Sequence, residues 1–142
     1  MKDMKRLSVA VLIGLAISGI SLHAHHSVKA GFDSSKVVTL TGLITKIDWV
    51  NPHAWIYIDV KTNGQSIPWI VQLAAPGALS KAGLDKTIFD LSKPVTVEVW
   101  IAKNDPPGSH HANGQTLTMA DRRKFDVSDK WDMMAVKLPA QK

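Results

Sequence analysis

The 142-residue chain contains no cysteine. Disulfide staples are therefore excluded, and any metal it holds must be held by nitrogen and oxygen. No apolar stretch is long enough to span a bilayer: the longest, from Leu7 to Ile20, is 14 residues against the roughly 20 required. The signatures of common enzymes are missing too. There is no nucleophile elbow, no phosphate-binding glycine loop and no HExxH, and Ser27 beside His26 is adjacency rather than a triad. Hydrolytic catalysis has no support in the sequence.

What the N-terminus does contain is a basic start (Lys2, Lys5, Arg6), the short apolar run, and Ser21-Leu22-His23-Ala24. This is the pattern of a secretory signal peptide over residues 1–24, with Ala24 just before the cut. Val28-Lys29-Ala30 is a rival cut that lies far from the apolar run, and an uncleaved anchor is the alternative to cleavage. The expected location is periplasmic or secreted, with no stable membrane insertion once the leader is gone. Cleavage removes three of 17 basic and one of 12 acidic residues, leaving +3. That mild basicity calls for neither nucleic acid nor acidic lipid as a partner.

The remainder has room for one domain. Residues 25–36 read as an N-terminal arm with Phe32 tucking into the body, 37–127 as the folded domain, and 128–142 as a loosely ordered tail with Trp131 as its anchor. From Ala54 the alternation is clean: Ala54, Ile56, Ile58 and Val60 point one way, and Trp55, Tyr57, Asp59 and Lys61 the other. A first strand over 37–49 slips in register near Gly42–Lys46, as a strongly bent strand with a glycine bulge would. Asn63-Gly64 marks a tight hairpin turn into a third strand near 66–73. Pro76 suits the first position of a short helix and Gly83 the residue past its end, with a further single turn after Asp85. A fourth strand alternates from Pro94 to Ala102. Lys103–Gly114 reads as a loop, and a fifth strand starts near Gln115, turns at Asp121-Arg122-Arg123 and returns through Phe125 and Val127. Three strands, a short helix and two more strands is the order of an all-β, five-stranded, OB-fold-like Greek-key barrel; another small sandwich or an open half-barrel is the alternative.

In such a barrel the loop after the first strand and the loop after the fourth flank one binding face. His53 and His110/His111 would then lie toward one side of the molecule, and the arm carrying His25 and His26 could reach it. Imidazole is the commonest protein ligand for zinc and copper. A chain beginning at His25 would add its α-amine, whose pKa of about 7.7–8.0 permits binding near neutral pH. Asp33 and Asp48 are candidate oxygen ligands or acceptors for an imidazole N–H. Against this stand plainer roles: a solvated terminus for His25-His26, a structural part for His53 in the Asn51-Pro52 turn, and loop filler for His110-His111. Trp55, Tyr57 and Trp100 project outward and mark a partner or carbohydrate surface, unless the arm or tail covers them.

His25-His26-Ser27, Phe32-Asp33, Thr41-Gly42, Asn51-Pro52-His53 and Trp69, in that order, resemble the small exported bacterial proteins grouped as domain-of-unknown-function family 6152. The resemblance covers roughly residues 24–127, and the pairing of His-His-Ser with Asn-Pro-His is its specific part. His110 and His111 stand outside that pattern. The resemblance implies an exported, periplasmic protein without an established activity.

Three readings follow. The first is a non-enzymatic exported binding protein with a copper- or zinc-capable cluster of His25, His26, His53, His110 and His111. The second is an accessory protein that docks on another exported protein through Trp55, Tyr57 and Trp100, with structural histidines. The third is a copper-dependent redox enzyme using the N-terminal histidine, for which no second motif speaks.

Overall fold

The computed structural model describes residues 28–129. The leader, His25, His26, Trp131 and most of the expected tail lie outside the described residues. A short helix α1 (Val28–Gly31) leads into β1 (Val38–Asp48), β2 (Trp55–Thr62) and β3 (Gln65–Gln72). After them come α2 (Pro76–Lys81), a 3-10 turn (Lys86–Ile88), β4 (Val95–Ile101), β5 (His111–Thr118) and β6 (Lys124–Asp126).

The strands pair in the order β3-β2-β1-β4-β5-β6, and a parallel pairing of β3 with β5 closes the first five into a barrel. The sixth lies outside it. This order is consistent with the OB-like Greek key. One edge of β5 is shared: residues 111–113 pair β3, and 116–118 pair β6. The ladder to β4 shifts between Glu98 and Val99, leaving Gln115 without an opposite number where the edge changes hands.

The bend expected in the first strand divides between two residues. Gly42 pairs Val60 of β2 and Val95 of β4, so β1 changes partners there. A Cβ on Gly42 would run into the backbone carbonyl of Asp59. The bulge itself falls three residues on, at Thr45, between Ile44 and Lys46.

Period-two alternation decides the interior. Ile56, Ile58, Val71, Leu73, Val97, Val99, Ala112 and Leu117 are all 0–1% exposed, and Leu79 and Leu84 from the helical connection plug one end. Pro76 starts α2, Gly83 follows its end at φ +83°, and Asp85 caps the 3-10 turn by accepting from the Thr87 amide at 2.9 Å. Asn63 and Gly64 both take positive φ, as a type I′ hairpin requires.

Two expectations need revision. β5 begins at His111, four residues earlier than the polar run His-Ala-Asn-Gly suggested; ladders on both sides impose strand geometry on that run. The return through Phe125 is a separate strand, and just beyond it the Val127 carbonyl accepts from the Ala74 amide at 2.9 Å.

Candidate functional site

Because Ile56, Val71 and Ala112 face inward, their neighbours face out. Trp55 pairs Gln72, Gln72 pairs Asn113, and Asn113 pairs Trp100, forming one rung of outward side chains across β2, β3, β5 and β4. The next rung holds Tyr57, Ile70 and His111. Three strand steps carry a rung more than half-way around a five-stranded barrel. Trp55 and Tyr57 therefore share a face with Ile70 and Gln72, while Trp100 stands on the far flank, beyond Asn113. The three outward aromatics do not form one flat patch.

Each end of the β2–β3–β5 face carries an imidazole beside a carboxylate. Beyond the Gln72 end, Val127 lies beside Ala74, and the next residues bring Asp129 Oδ2 to 3.3 Å from His53 Nδ1. At the other end, Asp105 clamps the start of β5. Its Oδ2 accepts from the His111 amide at 2.5 Å, and its Oδ1 lies 2.7 Å from His111 Nδ1. The His111 contact is a hydrogen bond at Nδ1, whereas His53 Nδ1 lies close to Asp129 without hydrogen-bond geometry and makes no hydrogen bond among the described residues. His110 packs against Trp69, ring centroids 5.0 Å apart, and its Nδ1 is buried without a hydrogen bond among the described residues.

His53 and His111 are offset by about four residues along the strands, roughly 13 Å, and by two strands laterally. No single ion reaches both. Among the described residues no group of three or more His, Asp or Glu side chains is placed to hold a metal ion. The two acids that seemed available to a histidine are committed elsewhere. Asp33 accepts from Ser35. Asp48 accepts from Lys46 at 2.7 Å and from the Tyr57 hydroxyl at 3.0 Å. The lysine first, then the phenol, hold the Asp48 carboxyl below the usual carboxylate range, and Asp48 in turn raises Lys46. Lys46 also sits 4.7 Å from the Tyr57 ring centroid, which ties that ring to β1.

Asn113 carried no sequence signal of its own. It is 1% exposed, its Oδ1 accepts from Gln115 Nε2 at 2.6 Å, and its Nδ2 is buried with no hydrogen-bond partner among the described residues. Two open grooves lie elsewhere. One, of about 390 Å³, runs past Lys93 and Arg123, and the other, of about 460 Å³, separates α2 from Asp126 and Ser128. Neither includes a histidine or an outward aromatic residue.

Fold and face together define a small closed β-barrel with one aromatic and amide-lined outer surface bounded by two histidine–aspartate pairs. The model of the family of unknown function DUF6152 matches residues 12–112, and the chain belongs to that family. No curated protein matches it. The matched span takes in Asn51-Pro52-His53, Trp55, Tyr57 and also His110 and His111, and ends one residue before Asn113.

Proposed function

We propose that this chain is an exported, non-enzymatic binding protein whose ligand or partner seats on the outer face of β2, β3 and β5. The observation that carries the reading is the arrangement of Trp55, Tyr57, Ile70 and Gln72 on two adjacent rungs between the two imidazoles. Half-buried aromatic side chains beside carboxamides give contact area at low entropic cost, with polar groups to fix orientation. In this reading Asp129 and Asp105 make His53 and His111 fixed posts at the ends of the face. The test is a photo-cross-linking side chain placed at Trp55 in the source cells, with Lys86, exposed on the 3-10 turn, as control. A discrete adduct at position 55 and none at 86 is expected. Equal labelling, or none at either position, sinks the proposal.

A second reading, copper or zinc binding, is favoured by one feature. A carboxylate close to Nδ1, as Asp129 is to His53, is the kind of neighbour that orients a metal-ligating histidine. His53 would supply one nitrogen, and His25 or His26 the others. Copper titration followed by electron paramagnetic resonance, on wild type, His53→Ala and His25→Ala, tests it; identical spectra in all three dispose of it. Intact mass of the exported chain adds a second test, since a start at Gly31 removes the amine chelate.

A further inference from the structure

We propose that the ligand of this face is a neutral, hydroxyl-rich carbohydrate chain, and that Asn113 is the buried donor that anchors it. The inference rests on the binding-face reading above and names the chemistry of what binds.

The argument starts from an unmet donor. Gln115 Nε2 is ringed by three acceptors: Asn113 Oδ1 at 2.6 Å, the Gly114 carbonyl at 3.2 Å and the Asn113 carbonyl at 3.4 Å. Turning that amide over would face its oxygen with three oxygens, so its orientation is forced. Asn113 must then present Oδ1 to it, and Nδ2 is left with no hydrogen-bond partner among the described residues. A buried amide donor without an acceptor costs about 1–3 kcal/mol. Such groups in folded proteins call for an explanation, and an oxygen that arrives from outside is one.

What surrounds Asn113 narrows the class. On its rung Asn113 has the Gln72 carboxamide on one side and the Trp100 indole on the other, with Trp55 beyond Gln72, and the rung carries no ionic side chain. A carboxamide both donates and accepts, as each sugar hydroxyl does, and an indole packs on the C–H face of a sugar ring. A polyanion is a poor match, since the rung offers no lysine or arginine to neutralise phosphates. An extended peptide is also a poor match. Strand addition needs a free edge, and along this seam the edges are consumed by the β3–β5 ladder and by Ile70 N donating to His110 O at 2.8 Å. Asn113 Nδ2 is out of solvent, so a sugar oxygen reaches it only when neighbouring side chains on the rung move aside. The Trp100 indole is the flanking group whose emission reports that movement.

The experiment titrates the full chain with chitotetraose, cellotetraose and maltotetraose, followed by tryptophan fluorescence and calorimetry. Wild type is compared with Trp100→Ala and Asn113→Ser, each first shown to melt cooperatively. At least one of the three sugars is expected to bind. Either variant should weaken that binding about tenfold or more, equivalent to at least about 1.4 kcal/mol. Affinity should change little between about 0.05 and 0.5 M salt, because no charges are paired. No binding of any sugar, undiminished binding by a folded Asn113→Ser chain, or affinity that collapses with salt would each overturn the inference. A protein adduct at Trp55 combined with no sugar binding removes the carbohydrate and leaves the binding face standing.

Discussion

Replacing Gly42 by alanine should cost this barrel a large part of its stability. Gly42 is the residue at which β1 leaves β4 and joins β2, pairing Val95 on one side and Val60 on the other. A Cβ there meets the Asp59 carbonyl group, with its carbon at 2.8 Å, and the Ile58 Cγ2 at 2.8 Å. The first obstacle is backbone in a paired strand, which cannot rotate away as a flexible side chain does. Relief requires moving β1 off β2 or off β4, which sacrifices ladder hydrogen bonds as well as packing. Overpacking typically costs about 1–3 kcal/mol and sometimes more, and the backbone obstacle puts this case at about 3 kcal/mol. A domain of this size shifts its melting temperature by about 4–8 °C per kcal/mol, so a fall of about 12–24 °C is expected. Gly77→Ala is the matched control: nothing lies within 4 Å of its added Cβ, and it sits inside α2. Relief of backbone entropy there should stabilise by about 0.4–1 kcal/mol. Thermal melts followed by circular dichroism decide the matter. A Gly42→Ala chain that melts within about 2 °C of wild type would show that the strand switch at this residue does not constrain the fold.

Other outcomes follow from the same structure. Ile58, 1% exposed in the barrel interior, should cost about 2–5 kcal/mol when cut to alanine, measured by urea unfolding. Asp105→Ala removes the acceptor of the His111 amide and the partner of its ring, so hydrogen exchange at that amide should accelerate while amides inside β2 keep their protection. Asp85, Asp90 and Asp121 are held below their ordinary 3.8, the first and third chiefly by a backbone amide and Asp90 by the Ser92 hydroxyl. Carboxyls depressed by folding stabilise above 3.8 and lose that contribution as pH falls through their lower folded values. Melting temperature should therefore be flat from pH 7 to about 5 and decline below about 4; a rise on acidification would contradict the assignment.

Most of the barrel was legible because its strands obey a two-residue period. Ile56 and Ile58, Val97 and Val99, and the Asn63-Gly64 turn each carry their own signal, and each stands where the pattern puts it. His111–Gly114 was not legible, since small polar residues become a strand only when β3 and β4 bracket them. The pairing of His53 with Asp129 was hidden for a related reason. It depends on Val127 hydrogen-bonding to Ala74 across the barrel, a contact that leaves no periodicity. The separation of Trp100 from Trp55 was hidden by closure itself: alternation tells which side chains point outward but not in which direction around a barrel. Asn113 lay inside the stretch read as a loop, and only the ring of acceptors about Gln115 reveals its unmet donor.

Hydroxyl-radical footprinting of the protein in its source cells, set against the purified chain, tests the binding face most directly. Trp55 and Tyr57 should be protected in cells, while Leu91, exposed at 49% in the connection before β4, should label alike in both. Equal labelling of Trp55 and Tyr57 in the two preparations would contradict the account.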